Sequence, residues 1–180
     1  MPTPLTRSDQ TPAESLRVWE AFLASRAELT GRMQLSACDG CDGCGLRCVE
    51  GFGVTREEWE AAKGYLATLP AAEVARVRSQ EKTAPWPGAE DIGATTTYCR
   101  FRDLEKKNCF LYAARPTVCR LFGHTDWLPC PIEKVEFVPE GAGELWDGYR
   151  KFERKTWEGW EEEDARTLAN QDRRTVVELL

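Results

Sequence analysis

Apolar residues along the chain recur at helical spacing in three places. Leu16, Trp19, Phe22, Leu23 and Ala27 mark a first helix. It opens at Thr11-Pro12-x-Glu14, where threonine caps, proline takes the first helical position and glutamate reaches back, and Gly31 is its expected stop. A second capping box, Thr55-x-x-Glu58, opens a helix with Trp59, Ala62, Tyr65 and Leu66 on one face, and Pro70 closes it. A shorter helix is expected from Ala71 to about Gln80. The third periodic stretch, with Leu145, Tyr149, Phe152, Trp157 and Trp160 on one side, predicts helix from Gly143 to the end. Its run Glu161-Glu162-Glu163-Asp164 reads as solvated surface.

Between these segments the pattern changes. Thr83 to Ala94, with Pro85, Pro87 and two glycines, reads as a connector. Thr95–Phe101 and Cys109–Tyr112 are rich in β-formers around the charged stretch Asp103–Asn108, which predicts a short hairpin. A brief helix is expected from Pro116 to about Phe122, then a loop through Cys130-Pro131 and a short strand at Val135–Val138. Residues 36–53 have no periodicity at all. The expected fold is therefore an α-rich, irregular small α(+β) domain with one short β-hairpin. Residues 1–10 form a mobile tail, residues 11–140 the domain (core 36–131), and residues 141–180 a helical C-terminal extension packed on it.

Composition alters the picture at one residue type. The 180 residues hold 8 cysteines against 1 histidine and 2 methionines, which disfavours Cys₂His₂ fingers and histidine-rich catalytic zinc sites. Net charge is −6. The excess lies after residue 131, and no segment is net basic, so phosphate-backbone binding lacks its main driving force and nucleic acid is not an expected partner. No apolar run reaches transmembrane length, and the N-terminal ten residues have no signal-peptide core. A cytoplasmic, reducing location follows as an expectation, and there close cysteines suggest metal or redox chemistry rather than structural disulfides.

Cys38, Cys41, Cys44 and Cys48 stand at the spacing C-x₂-C-x₂-C-x₃-C, the run bacterial ferredoxins use for iron–sulfur ligation. Thiolates three residues apart in a turn can converge on one small object, and glycines between them let backbone N–H groups approach the sulfurs. Val49 stands where ferredoxins carry proline, and there is no second run, so the spacing argues for a metal rather than for a ferredoxin. Cys99, Cys109, Cys119 and Cys130 are widely spaced, which suits iron–sulfur ligation better than a two-knuckle zinc site. Arg115 and Arg120 flank Cys119 and are candidates to offset thiolate charge. His124 has no paired ligand motif, so a surface or core role is preferred for it over ligation. Asp39 and Asp42 precede glycines and read as turn formers. No dinucleotide fingerprint, P-loop or radical-adenosylmethionine cysteine order is present.

The run Cys38-x₂-Cys41-x₂-Cys44, the Thr55-x-x-Glu58 helix start, Cys99-x-Phe101, the string Cys109-Phe110-Leu111-Tyr112-x-x-Arg115-Pro116-x-x-Cys119-Arg120-x-Phe122 and the last Cys130 together resemble the YkgJ-type cysteine-cluster proteins. Those are described as zinc- or iron-chelating domains with eight cysteines. The resemblance spans about residues 36–131. It departs from the family where Cys44 and Cys48 are three residues apart instead of an adjacent pair. It implies that all eight cysteines join the metal site. The leading expectation is a protein holding a [4Fe–4S] cluster or iron site in a redox or accessory role, with Cys38, Cys41, Cys44, Cys48, Cys99, Cys109, Cys119 and Cys130 as candidate ligands. The alternatives are a zinc-stabilised interaction module that docks a protein partner through residues 141–180, and a methyl-transferring relative of the flagellin lysine methylases, which carry a similar cluster in a much longer chain.

Overall fold

The computed structural model describes residues 12–178 except Asp39, Gly40, Asp42 and Pro87. The Thr11 cap, the tail before it and the Asp39 and Asp42 turns lie outside the described residues. Six α-helices are present there: α1 (Pro12–Arg32), α2 (Arg56–Ala67), α3 (Ala71–Arg78), α4 (Thr117–Leu121), α5 (Ala142–Tyr149) and α6 (Trp157–Glu178). Six two- or three-residue strands pair as three antiparallel ribbons: β1 (Thr83–Pro85) with β2 (Thr95–Thr97), β3 (Arg102–Asp103) with β4 (Asn108–Cys109), and β5 (His124–Thr125) with β6 (Leu128–Pro129). The fold is thus α-rich with minor β structure. None of the described helices is long and apolar enough to cross a membrane.

The backbone divides into two compact units, one formed by the chain up to Cys48 with Thr117–Glu153, the other by Val49–Pro116 with the chain from Arg154. In the first unit α1 packs on α5. Its buried stripe is Trp19, Phe22 and Leu29, continued by Met33 just past the helix end, while Leu16, at 56% exposure, faces solvent. The apolar face expected from Leu16 through Ala27 therefore turns: it begins one turn later and continues past Gly31, which sits inside the helix. The reason is the partner. Phe22 stacks on Tyr149 at 5.8 Å and meets Phe152 edge-on at 5.2 Å, and Trp19 meets the same Phe152 at 5.2 Å.

In the second unit Val54, Trp59, Ala62, Phe101, Leu111, Trp157 and Trp160 form one buried cluster, with Tyr65, Leu66, Cys99, Cys109 and Phe110 packed around it. Fully burying side chains of this size contributes on the order of 2–3 kcal/mol each before conformational entropy is charged against it. Trp160 donates its indole N–H to the Val54 carbonyl at 2.9 Å, so its one polar atom is satisfied inside the core. The α2 capping box is complete: the Glu58 N–H donates to Thr55 Oγ1 at 3.3 Å, and the Thr55 N–H donates to the Glu58 carboxylate at 3.2 Å. Both side chains are buried, so losing one leaves an amide without water to replace its partner. Thr55→Ala is expected to cost about 1–2 kcal/mol, read as a lower urea midpoint by tryptophan fluorescence.

Several local expectations change. The C-terminal stretch is not one helix: α5 and α6 are separate, and Lys155 between them pairs its backbone with Val54. The acidic run is not merely solvated surface either. Glu161 pairs with Arg78 and Arg100, Glu163 with Lys155, and Asp164 with Arg56, Lys63 and the Trp59 indole N–H. Glu162 alone of the four stays largely exposed, at 72%. The Thr83–Ala94 connector contains β1, which pairs with the Thr95–Thr97 strand and so displaces the expected hairpin to Arg102–Cys109. Tyr112–Ala114 is a 3₁₀ turn rather than strand, Val135–Val138 is irregular, and the loop before Cys130 contains the β5–β6 ribbon.

Candidate metal centre

The tight cysteine run folds as two 3₁₀ turns, Leu35–Cys38 and Gly43–Arg47. The Cys41 N–H donates to the Cys38 carbonyl at 3.1 Å, and the Gly43 N–H points at Cys41 Sγ at 3.4 Å. Such turns bring backbone amides to the sulfur side of the loop, where they stabilise thiolate. A Cβ on Gly43 would lie 2.8 Å from the Ile132 side chain, which would have to shift to admit it.

The fourth member of this group, Cys130, comes from a later part of the chain in the same unit. Burial pushes the Cys44 thiol above its usual range, and Cys130, Cys38 and Cys41 push it further by charge, while Arg47 opposes them. Gly123 runs close by with φ +86°, and a Cβ on it would meet Cys44 Sγ at 3.7 Å and the Cys130 Cα at 3.8 Å. Cys130 itself behaves in the opposite sense. Burial would raise its pKa, but the N–H groups of Ile132, Val135, Lys134 and Glu133 together hold it below the ordinary thiol value. The turn that presents these amides passes through Glu133 at φ +55°, a left-handed conformation that non-glycine residues rarely adopt. Successive N–H groups turned to one side in this way form a concave cradle suited to an anionic sulfur.

His124 was not among the expected ligands, yet it lies in this group. It is 2% exposed, and its Nε2 is 3.5 Å from Cys38 Sγ. A lone histidine has no spacing signal, and only the β5–β6 ribbon, formed far from the cysteine run, carries it there. Arg47 was also missed. Its guanidinium reaches the Pro129 carbonyl and ties the cysteine run to the ribbon ahead of Cys130.

The remaining cysteines are placed as follows. Cys48 follows the second 3₁₀ turn and Cys119 lies on α4, both in the first unit and both half-buried. Cys99 and Cys109 lie in the second unit against its apolar cluster. Burial and the neighbouring Cys99 push the Cys109 thiol up to about 11, against the Leu111 N–H, Arg115 and Arg102. Arg115 stacks on the Tyr112 ring at 3.8 Å and is one of the cations that oppose the rise at Cys109. None of the eight cysteines forms a disulfide.

Among the described residues, no three Cys, His, Asp or Glu side chains form a ready-made metal cage. The residues nevertheless fit a metal by their chemistry. Cys38, Cys41, Cys44 and Cys130 supply four soft sulfur donors, with amides at two of the sulfurs and a guanidinium beside a third. Set beside known families, residues 37–143 match the family model CxxCxxCC, described as a "putative zinc- or iron-chelating domain". No curated protein and no solved structure matches the chain.

Proposed function

The chain belongs to the CxxCxxCC family of zinc- or iron-chelating domains, and from that premise we propose that its resident metal is a [4Fe–4S] cluster held by Cys38, Cys41, Cys44 and Cys130. One observation carries the reading: Cys38, Cys41 and the distant Cys130 all lie near enough to Cys44 to push its thiol up, and a Cβ on Gly123 would touch both Cys44 Sγ and Cys130. Three cysteines in a C-x₂-C-x₂-C run completed by a remote fourth is a recurring iron–sulfur donor set, and in two-cluster ferredoxins the fourth cysteine of the run serves elsewhere. Cys48 is in that position here. A bound cluster would supply one-electron transfer. The chain's own part is to place the sulfurs and set donors beside them: the amides around Cys130, the Gly43 N–H at Cys41 and the Arg47 charge near Cys44. Cys48, Cys119, Cys99 and Cys109 remain candidate ligands on the family pattern.

A zinc site is the second reading, favoured by the nitrogen of His124 beside Cys38, since mixed cysteine–histidine sets suit zinc. Anaerobic purification with quantification of iron, sulfide and zinc separates the two. The expected product is coloured and carries about four iron and four sulfide per chain. A colourless product with zinc and neither iron nor sulfide overturns the cluster and leaves zinc. A product that takes up none of them overturns the metal centre itself.

A further inference from the structure

We infer that His124 is a positioning residue of this centre: its Nε2–H donates a hydrogen bond to the metal-bound thiolate of Cys38. The inference rests on the reading above that Cys38, Cys41, Cys44 and Cys130 are the ligands. It deepens that reading by giving the single histidine a task.

The geometry starts in the ribbon. His124 pairs with Pro129 and Thr125 with Leu128, and the Gly123 N–H donates to the Leu128 carbonyl at 2.8 Å. Thr125 Oγ1 accepts the Leu128 N–H at 3.2 Å and pins the turn. One end of this ribbon delivers Cys130, the next residue after β6. The same end delivers His124, which faces Pro129 and is buried, with Nε2 at 3.5 Å from Cys38 Sγ. That separation suits an N–H···S bond, which is longer than one to oxygen because sulfur is larger.

Charge explains why a donor is needed. Four thiolates in a partly buried site repel one another and each requires a compensating dipole or cation. Cys41 has the Gly43 N–H, Cys130 has its four amides, and Cys44 has Arg47. At Cys38 the corresponding group is the imidazole N–H. Four sulfurs already complete a four-donor set, so the imidazole is placed to hold a ligand rather than to be one. Such hydrogen bonds to ligating atoms typically change metal affinity by about 10- to 100-fold.

Two measurements on the full chain test this. The first uses cadmium alone as the probe: ¹¹³Cd-loaded, ¹⁵N-labelled protein is examined by NMR. The expected result is a slowly exchanging proton on His124 Nε2 and no one-bond coupling between that nitrogen and the metal. A one-bond nitrogen–cadmium coupling makes His124 a ligand and overturns the inference, although the metal centre stands. A nitrogen carrying neither proton nor metal also overturns it. The second measurement is the rate at which a chelator strips the metal present in the purified protein. His124→Leu is expected to lose metal about 10- to 100-fold faster, and His124→Gln, which keeps an N–H donor, to recover part of the difference. Equal rates for all three proteins sink the inference. If the parent chain binds no cadmium and holds no metal, the proposed centre falls and this inference falls with it.

Discussion

Serine in place of Cys44 or Cys130 is expected to lower the metal content at the first-unit centre at least tenfold, whereas Cys109→Ser leaves that metal in place. A serine hydroxyl stays protonated where a thiol ionises, and oxygen is a poor match for the soft metals that thiolates select. Cys44 is the most telling position because its neighbours are the other three sulfurs. Its own thiol is pushed up by burial and by those neighbours, and a bound metal cation would offset that accumulated charge. Cys130 is the opposite case, held toward thiolate by the amides of residues 132–135, and is the sulfur best prepared to meet a metal first. Cys109 sits in the other unit, on an apolar cluster, with a pKa pushed up to about 11. Metal analysis and the visible spectrum of the three variants, purified side by side without oxygen, decide the matter. Loss of the centre's spectrum in Cys109→Ser, or its retention in Cys130→Ser, would refute the four-sulfur assignment.

Part of this arrangement is legible in the sequence because it is local. The Thr55–Glu58 box needs only four residues and forms as expected. The α2 face follows from 3.6-residue periodicity, and the close cysteines announce a site because spacing within a turn is a chain-local property. What escapes is set by distant pairing. Strands of two residues, such as His124–Thr125 with Leu128–Pro129, carry no alternation to detect. Their existence depends on bonds across the turn, and they decide where both His124 and Cys130 point. Pro85 marks Thr83–Pro85 as a poor strand, yet an edge position tolerates it, and that ribbon takes the threonine strand away from its expected partner.

The cysteines show the same division. Sequence order groups them as a tight four and a dispersed four. In the fold Cys130 lies near the first three of the run, while Cys99 and Cys109 belong to the second unit. Long-range closure, not spacing, makes that choice. The acidic run departs from a plain solvated face for a related reason: Glu161, Glu163 and Asp164 have no basic residue at helical i+4 spacing, and their partners Arg78, Arg100, Lys155, Arg56 and Lys63 lie outside α6. Partly exposed pairs of this kind contribute about 0–1 kcal/mol each, so their weight lies in orienting α6 as much as in stability.

Asp103 is where one buried charge has the largest consequence in the second unit. Its side chain is fully buried, at 0% exposure, beside an Arg76 that retains 28%. Arg76 reaches it at 2.5 Å, Gln80 donates at 3.0 Å, and the N–H groups of Glu105 and Lys106 donate at 3.1 and 3.2 Å. These bonds close the turn of the ribbon in which Arg102 faces Cys109, with Lys107 in the left-handed region at φ 52°. Removing the carboxylate takes the acceptor from Gln80 and two backbone amides and leaves Arg76 with Glu73 and Glu105 alone. Asp103→Ala is expected to cost about 3 kcal/mol, the lower end for breaking a buried pair, because Arg76 can partly rehydrate. The sign of the pH dependence follows from the shift. Arg76 foremost, then Gln80 and the two amides, hold the carboxyl well below its ordinary 3.8, with burial opposing them. A depressed folded-state pKa stabilises the protein fully above the unfolded value, and that contribution drains away as pH falls through it toward the folded one. The gap in urea midpoint between the parent and Asp103→Asn should therefore be wide at pH 7 and narrow steadily below about pH 4. A gap that stays constant down to pH 3 would mean that the carboxylate charge contributes nothing and that shape alone holds this turn.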